Sequence, residues 1–181
     1  MSSIDKNRNF ISINIAILTI SDSRTLKDDS SGNLLKERIE NFGHNIYDRQ
    51  IITDDIPLIK KTISNWASNK LIDVIIATGG TGLTGRDSTP DAISELAEKI
   101  IVGFGELFRQ ISFSKIGTST IQSRALGAII KGTYVFALPG SKSACKDAWD
   151  NILQFQLDNR YRPCNFIEIM PRLEEDKIAK F

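Results

Sequence analysis

The sequence predicts an α/β fold with parallel strands at its centre, and three observations carry that reading. Val74, Ile75 and Ile76 form a β-branched run with no polar alternation, the pattern of a strand buried on both faces. Apolar strands of this kind alternate along the chain with segments of helical spacing, and small polar or glycine-rich loops join them. Gly127–Ile130, Lys131-Gly132 and Thr133–Leu138 read as a hairpin, which places an antiparallel strand at the sheet's edge.

Met1–Asn9 is polar and reads as mobile. Ile11–Ile20 alternates and then becomes solid over Ile15-Ala16-Ile17-Leu18, the first core strand. Ser21-Asp22-Ser23-Arg24 at its carboxyl end is either a simple connection or a second wall of a ligand crevice. Ser30 or Ser31 can cap a helix whose apolar positions are Leu35, Ile39 and Phe42, and Gly43 stops it. Ile46–Ile52 is a second strand; Thr53-Asp54-Asp55 and Pro57 open a helix with Ile59, Ile63 and Trp66 on its buried stripe. By position alone Asp54 and Asp55 read as acids favoured at the positive end of that helix.

The central stretch is Ile72–Asp91, in which the buried strand stops in Gly79, Gly80, Gly82 and Gly85 and a helix restarts at Pro90 behind Ser88 or Thr89. Strand, glycine loop and helix start together make an anion site, with phosphate the usual guest. Arg86 and Asp87 lie between the last glycine and the cap. One reading makes them a cation for an anionic ligand and a carboxylate for a divalent metal, the other a surface Arg paired with a capping Asp. Gly80, Gly82 and Gly85 match a dinucleotide fingerprint in letters only, because the helix opens beyond the third glycine. No Gly-Lys-Ser/Thr follows, which excludes a Walker loop.

Ile93, Leu96 and Ala97 mark a third helix. Gly103 and Gly105 are expected to break one helix into two before Leu107, Phe108 and Ile111, and Ser119–Leu126 is a short helix or loop. After the hairpin, Pro139-Gly140-Ser141 leads into a helix carrying Ala144, Ala148, Trp149 and Ile152, so the central arrangement is repeated. Gln156–Phe166 reads as irregular and basic. These elements make one domain over 11–169, with flexible tails at 1–10 and 170–181.

A net charge of +1 with no basic stripe argues against a nucleic-acid partner. No apolar run approaches the ~20 residues of a membrane span and the start has no signal-peptide core, so the expected setting is cytoplasmic, away from membranes. Cys145, Cys164 and His44 give no zinc set, and the cysteines read as buried or indifferent thiols.

Taken together, these residues resemble the MoaB/MogA family of molybdenum cofactor biosynthesis proteins. The family signature is matched by Thr78–Gly82, Asp87 and Thr89-Pro90. Further matches are Asp29-Ser30-Ser31-Gly32, Gly103-Phe104-Gly105-Glu106, Ser119-Thr120 with Ser123-Arg124, and Leu138–Ser141. Arg162-Pro163-Cys164-Asn165-Phe166 points to the MoaB branch. The resemblance implies a three-layer αβα, Rossmann-like fold with a mostly parallel mixed sheet that binds molybdopterin. It implies adenylylation of molybdopterin by ATP with Mg2+, releasing pyrophosphate; the alternative is a non-catalytic molybdopterin-binding or delivery protein.

Asp54 and Asp87 take the family's catalytic, metal-organising positions. Thr78, Gly79, Gly80, Thr81, Gly82, Arg86, Ser119, Gly140 and Ser141 are the implied ligand-binding residues. Some MoaB-branch proteins replace the acids and the Arg-Asp pair, whereas Asp54, Arg86 and Asp87 are all present here. The resemblance also implies a homo-oligomer, a hexamer in preference to a trimer, and other molybdenum cofactor synthesis proteins as partners. The pathway's final metal, molybdenum or tungsten, stays open.

Overall fold

The computed structural model describes residues 2–178. Its elements in chain order are β1 Ser3–Ile4, β2 Asn14–Ile20, α1 Ser30–Phe42, β3 Asn45–Ile52, α2 Ile56–Ser68, β4 Val74–Thr78 and α3 Thr89–Leu96. They continue with β5 Lys99–Ile101, α4 Val102–Ile116, a 3-10 segment Gly117–Gln122, β6 Leu126–Ile130, β7 Thr133–Leu138 and α5 Lys142–Ala148. A π turn Trp149–Leu153 joins α5 to α6 Gln154–Gln156, and β8 Tyr161–Arg162, α7 Phe166–Ile169, a 3-10 turn Met170–Arg172 and α8 Glu175–Ile178 follow.

The main sheet has the order β3-β2-β4-β7-β6-β5. Pairings are parallel from β3 through β7, and antiparallel between β7 and β6 and between β6 and β5. Successive residues of each central strand point to opposite faces, and both faces are covered, which is why the strand sequences show no polar alternation. Ile15, Ile17, Ile76 and Phe136 pack with Leu35, Ile39, Phe108 and Trp149 from α1, α4 and the α5 region. Ala16, Leu18, Ile75 and Val135 pack on the other side with Ile59, Ile63, Trp66 and Ile93 from α2 and α3. The mixed sheet between two helical layers is the expected architecture.

Several local expectations are corrected. Asp29, not Ser30 or Ser31, caps α1: its buried carboxylate accepts from the Gly32 amide at 3.0 Å, from Thr19 Oγ1 at 2.7 Å and from Arg49 Nη2 at 2.8 Å. Burial opposes the Asp29 charge, but those donors outweigh it and its carboxyl lies below the usual range. Gly103 and Gly105 do not break a helix in two. They lie in the first turn of the continuous α4, and a Cβ on Gly105 would stand 2.6 Å from the Ala125 carbonyl oxygen. The edge strand is β5, a strand absent from the sequence reading, so β6 is internal.

Residues of the terminal segments make contacts with the domain. Ser3–Ile4 pair antiparallel with Tyr161–Arg162, Arg8 bonds Glu168, and Lys177 bonds Glu98 at 2.8 Å. Met1 and residues 179–181 of those segments lie outside the described residues. Cys145 is buried and Cys164 exposed.

His44 provides a pH test of the fold. It is 3% exposed among Phe10, Phe42 and Trp149, and its Nδ1 accepts the Ile13 amide at 3.3 Å. Burial pushes its imidazole down from 6.5 to about 4, against the pull of the Asp158 charge and the Leu157 backbone. The unfolded chain therefore binds a proton that the folded chain refuses, so stability falls as pH drops from about 6.5 toward about 4. The slope contributed by His44 is up to about 1.4 kcal/mol per pH unit. Urea unfolding at pH 7 and pH 5 is expected to show this loss, and His44→Leu to reduce the difference; an equal difference in both proteins would contradict it.

Candidate functional site

The parallel strands β2, β4 and β7 end side by side, and the loops leaving them build one crevice. The Gly79 amide donates to the Leu138 carbonyl at 3.0 Å, and Thr78 Oγ1 bonds the Pro139 carbonyl at 3.0 Å, so the two glycine turns are tied together. Gly79 has φ of 105°, and a Cβ there would collide with the Ile20 carbonyl oxygen at the end of β2. Gly80 has φ of 61° and lies against the Asp54 carboxylate and the Thr89 hydroxyl, where a side chain has no room. Glycine is required here by both conformation and space.

The crevice is about 670 Å³ in volume, and its floor is Gly79–Gly82 and Gly140. Ser21, Ser23 and Arg24 form one wall; Phe108, Ser112 and Ile116 of α4 form the other. Asp87, Ser119 and Ser141 complete the polar rim. Arg24 Nη1 lies 3.3 Å from the Gly140 carbonyl and from Ser31 Oγ, and 3.7 Å from the Asp29 carboxylate. Ser31 Oγ in turn donates to the Gly140 carbonyl at 2.7 Å. The Asp29–Gly32 segment thus braces both the Arg24 cation and the second glycine turn.

Among the sequence-predicted residues, Gly79, Gly80, Thr81, Gly82, Asp87, Ser119, Gly140 and Ser141 line this crevice. Thr78 is buried behind it, its hydroxyl 3.1 Å from Cys145 Sγ, and burial pushes that thiol up to about 11. Arg86 is exposed and pairs with Asp22 at 2.6 Å rather than lining the crevice. Asp54 sits behind the Gly80 turn and accepts the Ser88 hydroxyl and the Ser88 amide, the latter at 3.3 Å. Asp55 faces elsewhere, capping α2 through the Leu58 amide at 2.9 Å. The two adjacent acids thus have separate hydrogen-bond partners.

Asp87 Oδ2 accepts the Thr84 hydroxyl at 2.6 Å and the Thr84 amide at 2.9 Å. The Thr84 hydroxyl first, then the Thr84 and Gly82 amides and the Arg124 charge, hold the Asp87 carboxyl below the usual range against a smaller effect of burial. It is therefore charged at neutral pH. The anion site expected at the start of α3 is altered by this packing: Ser88 makes no side-chain cap, its amide goes to Asp54, the Thr89 amide donates to the Gly80 carbonyl at 3.0 Å, and Pro90 has no N–H. No residue of α3 itself lines the crevice; the Asp87 carboxylate just before the helix does. At α5, Ser141 Oγ accepts the Ala144 amide at 3.2 Å.

Of the two readings of Ser21–Arg24, a simple connection or a second wall of the crevice, the structure has the wall, through Ser21, Ser23 and Arg24, whereas Ser31, Arg124 and the α4 wall have no place in the sequence-predicted site. The α4 wall had a usable signal, since Phe108, Ser112 and Ile116 share one face at successive four-residue steps.

The chain and its fold have relatives among known proteins. The family described as a probable molybdopterin binding domain matches residues 16–159. Molybdenum cofactor biosynthesis protein B of Escherichia coli (strain K12) is 45% identical over 157 residues, spanning 87% of this chain and 92% of that protein. A crystal structure of molybdenum cofactor biosynthesis protein B superposes with a TM-score of 0.83 at 36% identity, over 93% of this chain and 99% of that one. The tungsten cofactor synthesizing protein MoaB from Pyrococcus furiosus superposes with a TM-score of 0.71 at 32% identity, over 78% and 91% of the two chains. A central crevice built on paired glycine turns, within a matched domain that spans most of the sequence, places this chain in the molybdopterin-binding family of molybdenum cofactor biosynthesis proteins.

Proposed function

We propose that the protein adenylylates molybdopterin with Mg-ATP. A phosphate oxygen of molybdopterin attacks the α-phosphorus of ATP, the bond from that phosphorus to the bridging oxygen breaks, and pyrophosphate leaves. The observation that supports this best is the pair of carboxylates, Asp54 and Asp87, set against Gly80 and Gly82 of one loop. Joining two phosphates requires their repulsion to be suppressed, and carboxylates serve that end only through a cation.

The residues present suit magnesium. Mg2+ takes oxygen ligands, usually one or two carboxylates with substrate phosphates completing the set. Among the described residues no group of three or more His, Cys, Asp or Glu forms a self-sufficient cage, and the buried Thr89 Oγ1 beside Asp54 has no hydrogen-bond partner. Asp54 and Asp87 would hold the ion, which when bound neutralises phosphate charge. The glycine turns let phosphates approach the backbone, Arg24 supplies a further positive charge, and Phe108 with Ile116 offers an apolar wall for the flat part of a ligand. No protein nucleophile is required.

We assign the Gly140–Ser141 end to the pterin and the Thr78–Gly82 loop with Asp87 to the phosphate junction. Ser141→Ala is then expected to weaken molybdopterin binding by about 0.5–1.5 kcal/mol with ATP binding little changed. The same change removes the α5 cap and costs about 1 kcal/mol of stability. Separate calorimetric titrations decide the orientation, and a loss confined to ATP would exchange the two ends.

The working form on this reading is a cytoplasmic homo-oligomer, a hexamer in preference to a trimer, acting beside other molybdenum cofactor synthesis proteins. Exposed Ile100, Val102, Leu107, Phe113 and Ile121 around β5 and α4 support self-association. No described helix is long and apolar enough to cross a membrane. Release of pyrophosphate from ATP only when molybdopterin is added supports the catalytic reading; binding of molybdopterin without release supports a non-catalytic delivery protein instead.

A further inference from the structure

Arg124 does not line the crevice, yet its guanidinium holds the loop that carries Asp87. Nε donates to the Gly82 carbonyl at 2.8 Å, Nη2 donates to the Asp87 carbonyl, and Nη1 meets both carboxylate oxygens of Asp91 at 2.9 Å. Its own amide donates to the Thr81 carbonyl at 3.1 Å. Between the two clamped carbonyls the chain bulges outward, with Leu83, Thr84, Gly85 and Arg86 exposed. Within that bulge Thr84 bonds the Asp87 carboxylate and carbonyl-to-amide contacts close the turn, but these move with the loop. The bulge is also held at Arg86, which pairs with Asp22, and just past its end at Ser88, which bonds Asp54; Arg124 is the group that grips the Gly82 and Asp87 carbonyls together.

We infer that Arg124 is a positioning residue for the metal-binding carboxylate of Asp87, acting through the Gly82 and Asp87 carbonyls, an inference that rests on the magnesium role proposed above. A planar fork spans two carbonyls and one carboxylate, and an ammonium cannot. Arg124→Lys keeps the charge, so its effect reports geometry.

The test is a double-mutant cycle on Mn2+ binding to the full chain with ATP, Mn2+ replacing Mg2+ and followed by electron paramagnetic resonance. Arg124→Lys is expected to weaken Mn2+ binding about tenfold, as loss of a partner behind a ligand does. Molybdopterin binding is expected to stay unchanged. In an Asp87→Asn background the same change is expected to have an effect of less than about twofold, because the two residues act as one. Native Mn2+ affinity in Arg124→Lys, or losses that simply add, overturns the inference while leaving the Asp87 assignment standing. Native affinity in Asp87→Asn overturns the metal assignment and the inference with it. Should Arg124→Lys fold poorly, Asp91→Asn releases only the guanidinium's orienting partner and is expected to weaken Mn2+ binding in the same direction by a smaller factor; no change there overturns the inference equally.

Discussion

Asp87→Asn is expected to lower adenylyl transfer by about 10²-fold or more, the consequence of losing several kcal/mol of charge stabilisation at the phosphate junction. Asparagine matches aspartate in size and keeps an oxygen for the Thr84 amide and hydroxyl, so the loop retains its internal bonds. What it loses is the negative charge that Thr84, Gly82 and Arg124 hold in place. The measurement is single-turnover transfer at saturating magnesium, with urea unfolding as a control. Near-native turnover would remove Asp87 from the metal-organising role.

Asp54 and Asp55 are adjacent in sequence and are expected to separate cleanly by mutation. Asp54→Asn removes a charge beside Gly80 and Ser88 and is expected to lower turnover by about 10²-fold as well. Asp55→Ala removes the α2 cap and is expected to cost about 1 kcal/mol of stability with turnover retained. Paired denaturation and turnover measurements check both. Turnover lost in Asp55→Ala but intact in Asp54→Asn would mean that the family register had been carried over one residue out.

Much of this architecture was legible in the chain because it depends on local pattern. The doubly buried strands, the stripe Ile59, Ile63 and Trp66, and the two glycine turns each carry their reason in consecutive residues. Elements decided by distant partners were not legible. Lys99–Ile101 is three residues long between two helices and is a strand only because Gly127, Ala128 and Ile129 lie beside it. Asp29, Ser30 and Ser31 can all cap a helix, and Thr19 and Arg49 select Asp29. Ser88 reads as a cap, but Asp54, far away in sequence, takes its hydroxyl and amide. For the same reason Arg124 read as one residue of a hydroxyl-rich segment, because its four acceptors converge only when the loop is folded.

The chemical role turns on one bond, from the α-phosphorus of ATP to the phosphate of molybdopterin. The most direct measurement incubates the protein with magnesium, molybdopterin and ATP labelled at the α-phosphorus, then separates the pterin and follows the label. The account predicts label on molybdopterin in amounts equal to the pyrophosphate released, and labelling slowed by about 10²-fold or more when Asp87→Asn replaces the native chain. Molybdopterin that binds the protein but stays unlabelled, with no pyrophosphate formed, would contradict it.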